Sequence, residues 1–318
     1  MTSSSVLTVG LAQIAPVWLD RERTLQKVES YIVQAGQQGC NLVAFGEALV
    51  PGYPFWVELT DGARFNSQLQ KEIFAEYAGQ AVQPEAGHLK SVCWAAREHH
   101  VAVYLGTIER AKDRGGHSLY CSLVFIDANG EIGSVHRKMM PTYEERLVWS
   151  TGDGAGLQTH RVGAFTVGGL NCWENWMPLS RAALYAQGED LHVAVWPGSE
   201  RNTRDITRFV ALESRSYVLS VSGFMRREDL GAQAEWRRMA AAAAPEQLAN
   251  GGSCLAAPDG SWVIEPAPAE ETLLVAQLDH KRVYEERHNF DPAGHYSRPD
   301  VTQVLVNRKR QNLAVMQD

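Results

Sequence analysis

The chain has 318 residues, of which 45% are hydrophobic; it contains 30 lysines and arginines and 37 aspartates and glutamates, which gives a net charge of −7. This composition is typical of a globular protein that is long enough to bury a full hydrophobic core in one large domain or two small ones. Nucleic acids and anionic membranes are bound by dense positive patches, so the mild acidity argues against both kinds of partner. A small-molecule enzyme or a binding protein remains.

The cysteines lie far apart in the sequence, and no two of them have the CxxC spacing of a metal site. Their number is odd and their neighbours are apolar, which indicates reduced thiols of a cytoplasmic protein. The N-terminal residues lack the basic stretch of a signal peptide, and no window approaches 18 uncharged apolar residues. We therefore expect a cytoplasmic protein that does not span a membrane. The five cysteines are Cys40, Cys93, Cys121, Cys172 and Cys254.

The N-terminal third of the chain alternates between predicted strands and helices. Apolar runs over residues 6–14, 42–45 and 101–107 predict buried strands. Asp20 is suited to cap a first helix, and a second helix is predicted over residues 89–100. This alternation indicates an α/β fold whose strands are buried on both faces.

The middle and the C-terminal parts of the chain change character, because hairpins appear beside the helices. Hairpins are predicted over residues 119–136, 162–171 and 254–265, where turn residues separate pairs of apolar runs. The remaining predictions are helices near 178–188 and 203–215 and strands at 191–196, 218–222 and 273–278. This order of elements predicts two mixed sheets with helices on the outside.

Two segments have no clear pattern. Residues 226–250 contain charged side chains followed by five consecutive alanines, and both a helical excursion and a mobile loop remain open for them. The tail that begins at Lys281 is polar and basic, and it lacks the apolar density to fold alone. We therefore expect one domain over residues 1–280 and a C-terminal tail over residues 281–318.

Three side chains with reactive chemistry come after predicted buried strands. Glu47 comes after LVAF and a glycine, Lys138 comes after SVHR, and Cys172 comes after VGGLN. Taken singly, such residues are more often a loop carboxylate, a solvated lysine and an inert thiol. Ligand sites in α/β proteins, however, collect where strands end and loops begin. At one such edge, the three would supply a base, a cation and a nucleophile.

Long motifs surround each of these residues: FGEALVPGYP at 45–54, HRKMMPTYEERLVWSTGDG at 136–154 and NCWENWMPLSRAALYAQGEDLHVAVWPG at 171–198. Over about residues 6–280 the chain resembles the nitrilase superfamily of carbon–nitrogen hydrolases. The resemblance implies an α-β-β-α sandwich and no cofactor. It also implies a catalytic triad of Glu47, Lys138 and Cys172, with Glu145 as a second catalytic glutamate.

The sequence Cys172-Trp173-Glu174 is similar to that of the nitrile-hydrolysing branch, in which the cysteine forms a thioimidate and then a thioester. In this interpretation, Lys138 favours the Cys172 thiolate and Glu47 accepts its proton. Lys138 and the backbone N–H of Trp173 stabilise the developing negative charge, and Glu145 orients Lys138 or water. An amidase or a cyanide-hydrolysing enzyme with the same site is the alternative. A catalytically silent binding or scaffold protein is a third interpretation, against which the intact triad argues.

Aromatic residues near the motifs are candidates for binding the organic group of the substrate. They are equally well explained by core packing, since tryptophan is largely buried in most proteins. If they line a pocket, they favour an aryl or arylalkyl nitrile over hydrogen cyanide. These candidates are Tyr53, Trp149, Trp173, Trp176 and Trp196.

The other expectations concern metals and assembly. Glu98, His99 and His100 end a predicted helix, and no further metal ligand lies nearby in the sequence, so no metal site is predicted. The resemblance implies a homo-oligomer in which pairs of subunits associate through helices, with spiral filaments as a further possibility. The tail over residues 281–318 is expected to cross between subunits.

Overall fold

The computed structural model describes residues 5–314, which contain fourteen strands and eight α-helices. The strands are β1 (Val6–Gln13), β2 (Leu42–Phe45), β3 (Ala102–Arg110), β4 (Leu119–Ile126), β5 (Ile132–Arg137), β6 (His160–Val162), β7 (Phe165–Asn171), β8 (Leu191–Trp196), β9 (Tyr217–Ser222), β10 (Phe224–Arg226), β11 (Gln247–Asn250), β12 (Cys254–Ala256), β13 (Trp262–Ile264) and β14 (Thr272–Asp279). The helices are α1 (Arg21–Gln37), α2 (Trp56–Leu59), α3 (Gln68–Gln80), α4 (Lys90–His99), α5 (Pro178–Tyr185), α6 (Glu200–Ser214), α7 (Glu235–Ala243) and α8 (Lys281–Asn289).

Twelve of these strands form two six-stranded sheets. The first sheet has the order β14-β1-β2-β3-β4-β5, and the second has the order β13-β12-β9-β8-β7-β6. Each sheet is mixed, because β1, β2 and β3 run parallel in one and β7, β8 and β9 run parallel in the other, whereas the outer strands are antiparallel. The prediction of two mixed sheets is confirmed.

The two sheets pack face to face with helices on the outer faces, as in an α-β-β-α sandwich. Between the sheets, Leu11 and Tyr104 of the first belong to the same apolar cluster as Val193 and Leu219 of the second. Helices α1 and α4 bury their apolar sides against the outer face of the first sheet. Helix α6 does the same on the second sheet, so the strands are covered on both faces, as their continuous apolar runs predicted.

Part of the chain folds in ways that the sequence pattern did not reveal. Helix α3 buries Ile73 and Tyr77, and residues 226–250 contain α7 between the paired strands β10 and β11. Trp236 of α7 packs edge-on against Trp18, with the ring centroids 5.7 Å apart. This segment is therefore ordered secondary structure, including the helical excursion that was one of its two interpretations.

The C-terminal tail is attached to the body of the domain. Helix α8 buries Val283 in the apolar cluster between the sheets. Further on, the Arg310 guanidinium forms an ion pair with Asp153 at 3.0 Å, and Val306 packs against the apolar cluster that contains Leu157 and Leu184. The domain boundary at residue 280 stays a prediction. In residues 5–314, each helix is too short or too polar to cross a membrane.

Candidate active site

The predicted catalytic residues meet where strands of both sheets end. Glu47 lies two positions after β2, Lys138 directly follows β5, and Cys172 directly follows β7. The Lys138 ammonium lies 2.9 Å from Oε1 of Glu47 and 2.7 Å from Oε2 of Glu145. Cys172 is close enough for the charges of these three residues to change the pKa of its thiol. All four side chains are almost completely buried.

Backbone contacts between neighbouring strands fix where Glu47 and Lys138 lie. The Glu47 N–H donates to the carbonyl of Trp196 at the end of β8, which links the two sheets, and the Lys138 N–H donates to Cys121 on β4. Gly106 of β3 lies against this segment, and a Cβ atom there would come within 2.1 Å of the Gly46 carbonyl oxygen. Glycine is therefore required at position 106 to let the Glu47 segment approach β3.

Glu145 is held by its own turn, a short 3-10 helix over Tyr143–Leu147. Its Oε2 accepts the backbone N–H of Thr142 at 2.6 Å, and its Oε1 accepts the hydroxyl of Tyr53 at 2.9 Å. Burial and the neighbouring carboxylates raise the pKa of Tyr53 well above its usual value, so the hydroxyl stays a donor. The orientation of Glu145 toward Lys138 is thus fixed by two hydrogen bonds.

The electrostatic balance of the site depends on one cation among several acidic groups. Burial raises the pKa of Glu47 to about 7; Lys138 opposes that rise and Glu145 adds to it. Burial alone would lower the pKa of Lys138, but Glu47, Cys172 and Glu145 raise it well above its usual value, so the ammonium stays charged.

Lys138 favours the Cys172 thiolate, as the sequence predicted, but it is not the largest influence on that thiol. Lys138 does lower the pKa of the Cys172 thiol, but burial and the Glu47 carboxylate outweigh it and raise that pKa well above its usual value. The nucleophile therefore rests as a thiol, and its proton must leave when it attacks. Glu47, whose pKa is near neutrality, is the matching acceptor.

The turn that carries the nucleophile is strained. Cys172 has φ +44°, in the left-handed region that non-glycine residues rarely adopt. The buried carboxylate of Glu174 accepts the backbone N–H groups of Asn171 at 3.0 Å and of Met139 at 2.7 Å, so it joins the cysteine turn to the lysine segment.

The same carboxylate pairs with His136 at 3.0 Å. Burial would raise the pKa of Glu174, but His136 and the backbone N–H groups lower it below the usual value, so Glu174 is ionised. The sequence motif contains Glu174, but its linking role was not predicted.

A second thiol also reaches the site. Cys121 Sγ lies 3.5 Å from Oε1 of Glu47 and donates to it. Burial and the Glu47 charge raise the pKa of Cys121 well above its usual value, so this thiol stays protonated. The contact of Cys121 with Glu47 depends on strand pairing that the sequence pattern does not reveal.

Three of the five predicted aromatic residues lie beside the catalytic groups. The Trp149 ring centroid is 5.5 Å from the Lys138 ammonium, and Tyr53 packs edge-on against Trp149. Trp196 is fully buried in an apolar cluster with Cys172, and its indole N–H donates to the Ser220 hydroxyl.

The other two aromatic residues face outward. Trp173 and Trp176 are 55% and 49% exposed. They line an open, mainly apolar cavity of about 570 Å³, together with Met140, Tyr143 and Met177. The structure therefore does not bring all five aromatic residues into one pocket.

Within residues 5–314, no three histidine, cysteine, aspartate or glutamate side chains are grouped as they would be to hold a metal ion.

The chain is similar to known proteins over nearly its whole length. The family model described as carbon-nitrogen hydrolase matches residues 8–288. "Nitrilase 2" of an unknown prokaryotic organism is 36% identical over 314 residues, which cover 98% of this chain and 96% of that protein. "Aliphatic nitrilase" of Rhodococcus rhodochrous is 33% identical over 315 residues, which cover 95% and 79% of the two chains.

Solved structures show the same fold at lower identity. A carbon-nitrogen hydrolase from Helicobacter pylori G27 superimposes with a TM-score of 0.69 and 19% identity, covering 93% of this chain and 96% of that one. An amidase from Nesterenkonia sp. gives a TM-score of 0.64 and 17% identity, with coverage of 91% and 95%. The matched family model spans nearly the whole chain and all four predicted catalytic residues. The chain belongs to the carbon–nitrogen hydrolase family.

Proposed function

We propose that this protein is a nitrilase, which uses two waters to hydrolyse a nitrile to a carboxylic acid and ammonia. The observation that carries the proposal is the buried arrangement of one thiol, one cation and two carboxylates, with Lys138 within 3 Å of both Glu47 and Glu145. The full-length similarity to proteins named nitrilases supports a nitrile as the substrate. The Cys172-Trp173-Glu174 sequence gives the same indication.

Cys172 attacks the nitrile carbon while Glu47 takes the thiol proton. A carbon–sulfur bond forms, and the nitrile nitrogen receives that proton, which gives a thioimidate. Water then adds across the C=N bond with Glu47 as general base. The C–N bond breaks as the carbonyl forms, and ammonia leaves after both protons of that water have passed to its nitrogen. A thioester remains, and a second water breaks its C–S bond to release the acid and restore the thiol.

Lys138 supplies the positive charge that these additions require, since negative charge develops on the substrate nitrogen or oxygen. Its ammonium and the backbone N–H of Trp173 stabilise that charge, as the donors of an oxyanion hole do. Glu145 and Glu47 together hold the ammonium in place. Tyr53 donates to Glu145 and Trp149 lies beside Lys138, and with Trp196 they are proposed to bind the organic group. Trp173 and Trp176, which line the open cavity, remain proposed for the same role.

The proposal is tested by ammonia release from a panel of aryl, arylacetyl and aliphatic nitriles, the matching amides, and cyanide. We expect turnover of nitriles, and we expect Cys172→Ala to lower it by more than about 10³-fold. Thr24→Val, which removes a buried hydroxyl on α1, on the outer face of the first sheet, is the matched control and should retain activity. Turnover of amides alone would assign the protein to the amidase branch, and turnover of cyanide alone would make it a cyanide-hydrolysing enzyme. Activity in Cys172→Ala would exclude the mechanism.

We further propose that the enzyme is a homo-oligomer whose subunits pair through α5 and α6. Apolar side chains of this face are exposed, and Trp176 stacks on Phe209 there with ring centroids 6.3 Å apart. The double variant Leu179→Glu and Phe209→Glu should lower the molecular mass of the particle measured by light scattering.

Truncation after Asn289, which keeps α8, tests whether the tail also crosses between subunits, and an unchanged molecular mass would argue against that role. Filament formation stays a prediction.

A cytoplasmic location is also proposed, on the basis of the cysteines. All five are free thiols, and four of them are buried, as is typical of proteins from reducing compartments. Cell fractionation of the source organism tests this, and recovery outside the cytoplasm would contradict it.

A further inference from the structure

The side-chain amide of one buried residue holds the strained cysteine turn by hydrogen bonds. Asn175 is fully buried, and its Nδ2 donates to the Cys172 carbonyl at 2.7 Å and to the Leu170 carbonyl at 3.3 Å. The backbone carbonyl of Asn175 accepts a hydrogen bond from the Arg181 guanidinium at 2.7 Å. A single side chain thus holds the backbone on both sides of the Cys172 φ of +44°.

The amide is itself held by a buried histidine and a buried glutamate. His192 of β8 places Nε2 2.7 Å from Asn175 Oδ1 and Nδ1 2.8 Å from Glu189 Oε1, and all three side chains are fully buried. The Asn175 amide cannot be flipped, because its nitrogen already faces two carbonyl oxygens. Nε2 of His192 therefore faces an acceptor and donates to it, and Nδ1 faces the carboxyl group of Glu189.

We propose that Asn175, His192 and Glu189 are positioning residues for the nucleophile. The inference rests on the proposed role of Cys172 as the nucleophile. The left-handed conformation is unfavourable for a residue with a Cβ atom, so the turn relaxes unless neighbouring groups hold it. Relaxation moves both the thiol and the Trp173 N–H, which comes next along the turn.

We call Asn175, His192 and Glu189 the relay, and its chemistry favours a positioning role over a packing role. Burying a carboxyl group and an imidazole side by side has a desolvation penalty, and apolar side chains of similar volume fill such space at lower cost. What apolar side chains cannot do is fix the direction of the Asn175 amide toward the Cys172 carbonyl. The relay runs from β8 to the turn after β7, so it ties the nucleophile to the rigid centre of the second sheet.

Asn175→Leu, which keeps the volume and removes both hydrogen-bonding groups, is the direct test. We expect kcat per folded enzyme to fall about 10²-fold, as displacement of a catalytic group by about 1 Å does, with KM changed less than about threefold. The alkylation rate of Cys172 should change as well. Thr24→Val loses a comparable hydrogen bond of a buried side chain, to the Val17 carbonyl at 3.0 Å, and should lower Tm without lowering kcat.

A second pair of variants covers the case in which Asn175→Leu does not fold. In Glu189→Gln, the new amide donates to His192 Nδ1, which leaves Nε2–H for Asn175, so kcat should stay within about twofold of wild type. Glu189→Leu removes this partner, and kcat should fall about tenfold.

Equal kcat in Asn175→Leu and wild type, or in the two Glu189 variants, would overturn the relay. Activity in Cys172→Ala would instead overturn the proposed function, so the two failures are distinguishable.

Discussion

The two halves of the active site are held together by different forces. In the acid–base half, contact between opposite charges inside the protein joins Lys138 to Glu47 and to Glu145. In the nucleophile half, the Cys172 turn is fixed by hydrogen bonds to its backbone, chiefly from Asn175 and to Glu174.

This difference predicts two kinds of response to mutation. Removing one charge from the acid–base half leaves the others buried without compensation, so stability and activity fall together. Removing a hydrogen bond from the cysteine turn changes geometry more than charge, so activity falls further than stability. Glu174 connects the halves, because it contacts both Asn171 and Met139.

The largest effect is expected for Lys138→Met, which leaves Glu47 and Glu145 without their shared cation. We expect a loss of about 3–5 kcal/mol in the free energy of unfolding and of about 10²–10³-fold in kcat. Urea unfolding and steady-state kinetics measure the two effects. Lys112→Met changes a surface lysine and should change neither. Unchanged stability in Lys138→Met would break the distinction between the two halves.

Glu174→Gln should have an intermediate effect, because it weakens the link between the halves but keeps one carbonyl acceptor. Loss of the charge-assisted bonds to His136 and the two backbone N–H groups should cost about 1.5–3 kcal/mol of stability. A decrease of about tenfold in kcat should accompany it, because the cysteine turn loses its contact with the lysine segment. Glu98→Gln, on the exposed side of α4, is the matched control. If kcat is unchanged while stability falls, Glu174 supports the fold alone.

Much of the fold and the site could be predicted because both depend on apolar strands and on the residues at their carboxyl ends. The strands Leu42–Phe45 and Leu191–Trp196 have the predicted bounds. Glu47, Lys138 and Cys172 converge because their strands end at one edge of the sandwich, and Glu145 was identified only by resemblance. Helix α8 was missed because its one buried apolar residue, Val283, gives no helical pattern.

The partners of the catalytic residues were beyond prediction for a different reason. His192 reaches Asn175 from another strand, and Cys121 reaches Glu47 across strand pairs, so no local spacing identifies either contact. The resting protonation of Cys172 was also beyond prediction, because the sequence identifies a nearby lysine but not the balance of burial and charge around the thiol.

The pH dependence of kcat/KM offers a test with a smaller effect. Burial raises the pKa of Glu47 to about 7, and only the ionised form accepts the thiol proton. Activity should therefore fall about tenfold per pH unit as the pH drops below about 7. Glu145→Gln removes a negative charge that raises this pKa, so the acid limb should move to lower pH. If the acid limb of the pH profile does not shift in Glu145→Gln, a group other than Glu47 controls it.

The smallest effect is expected for Tyr53→Phe, which removes one hydrogen bond from Glu145 and leaves every charge in place. Glu145 keeps its contacts with Lys138 and with the Thr142 N–H, so the ion network should survive. The loss of one buried bond, about 0.5–1.5 kcal/mol, corresponds to a decrease of roughly two- to tenfold in kcat/KM. Because no charge is lost, the free energy of unfolding should change much less than in Lys138→Met. A loss of stability as large as that of Lys138→Met would mean that the hydroxyl of Tyr53 belongs to the charge network and does not merely orient it.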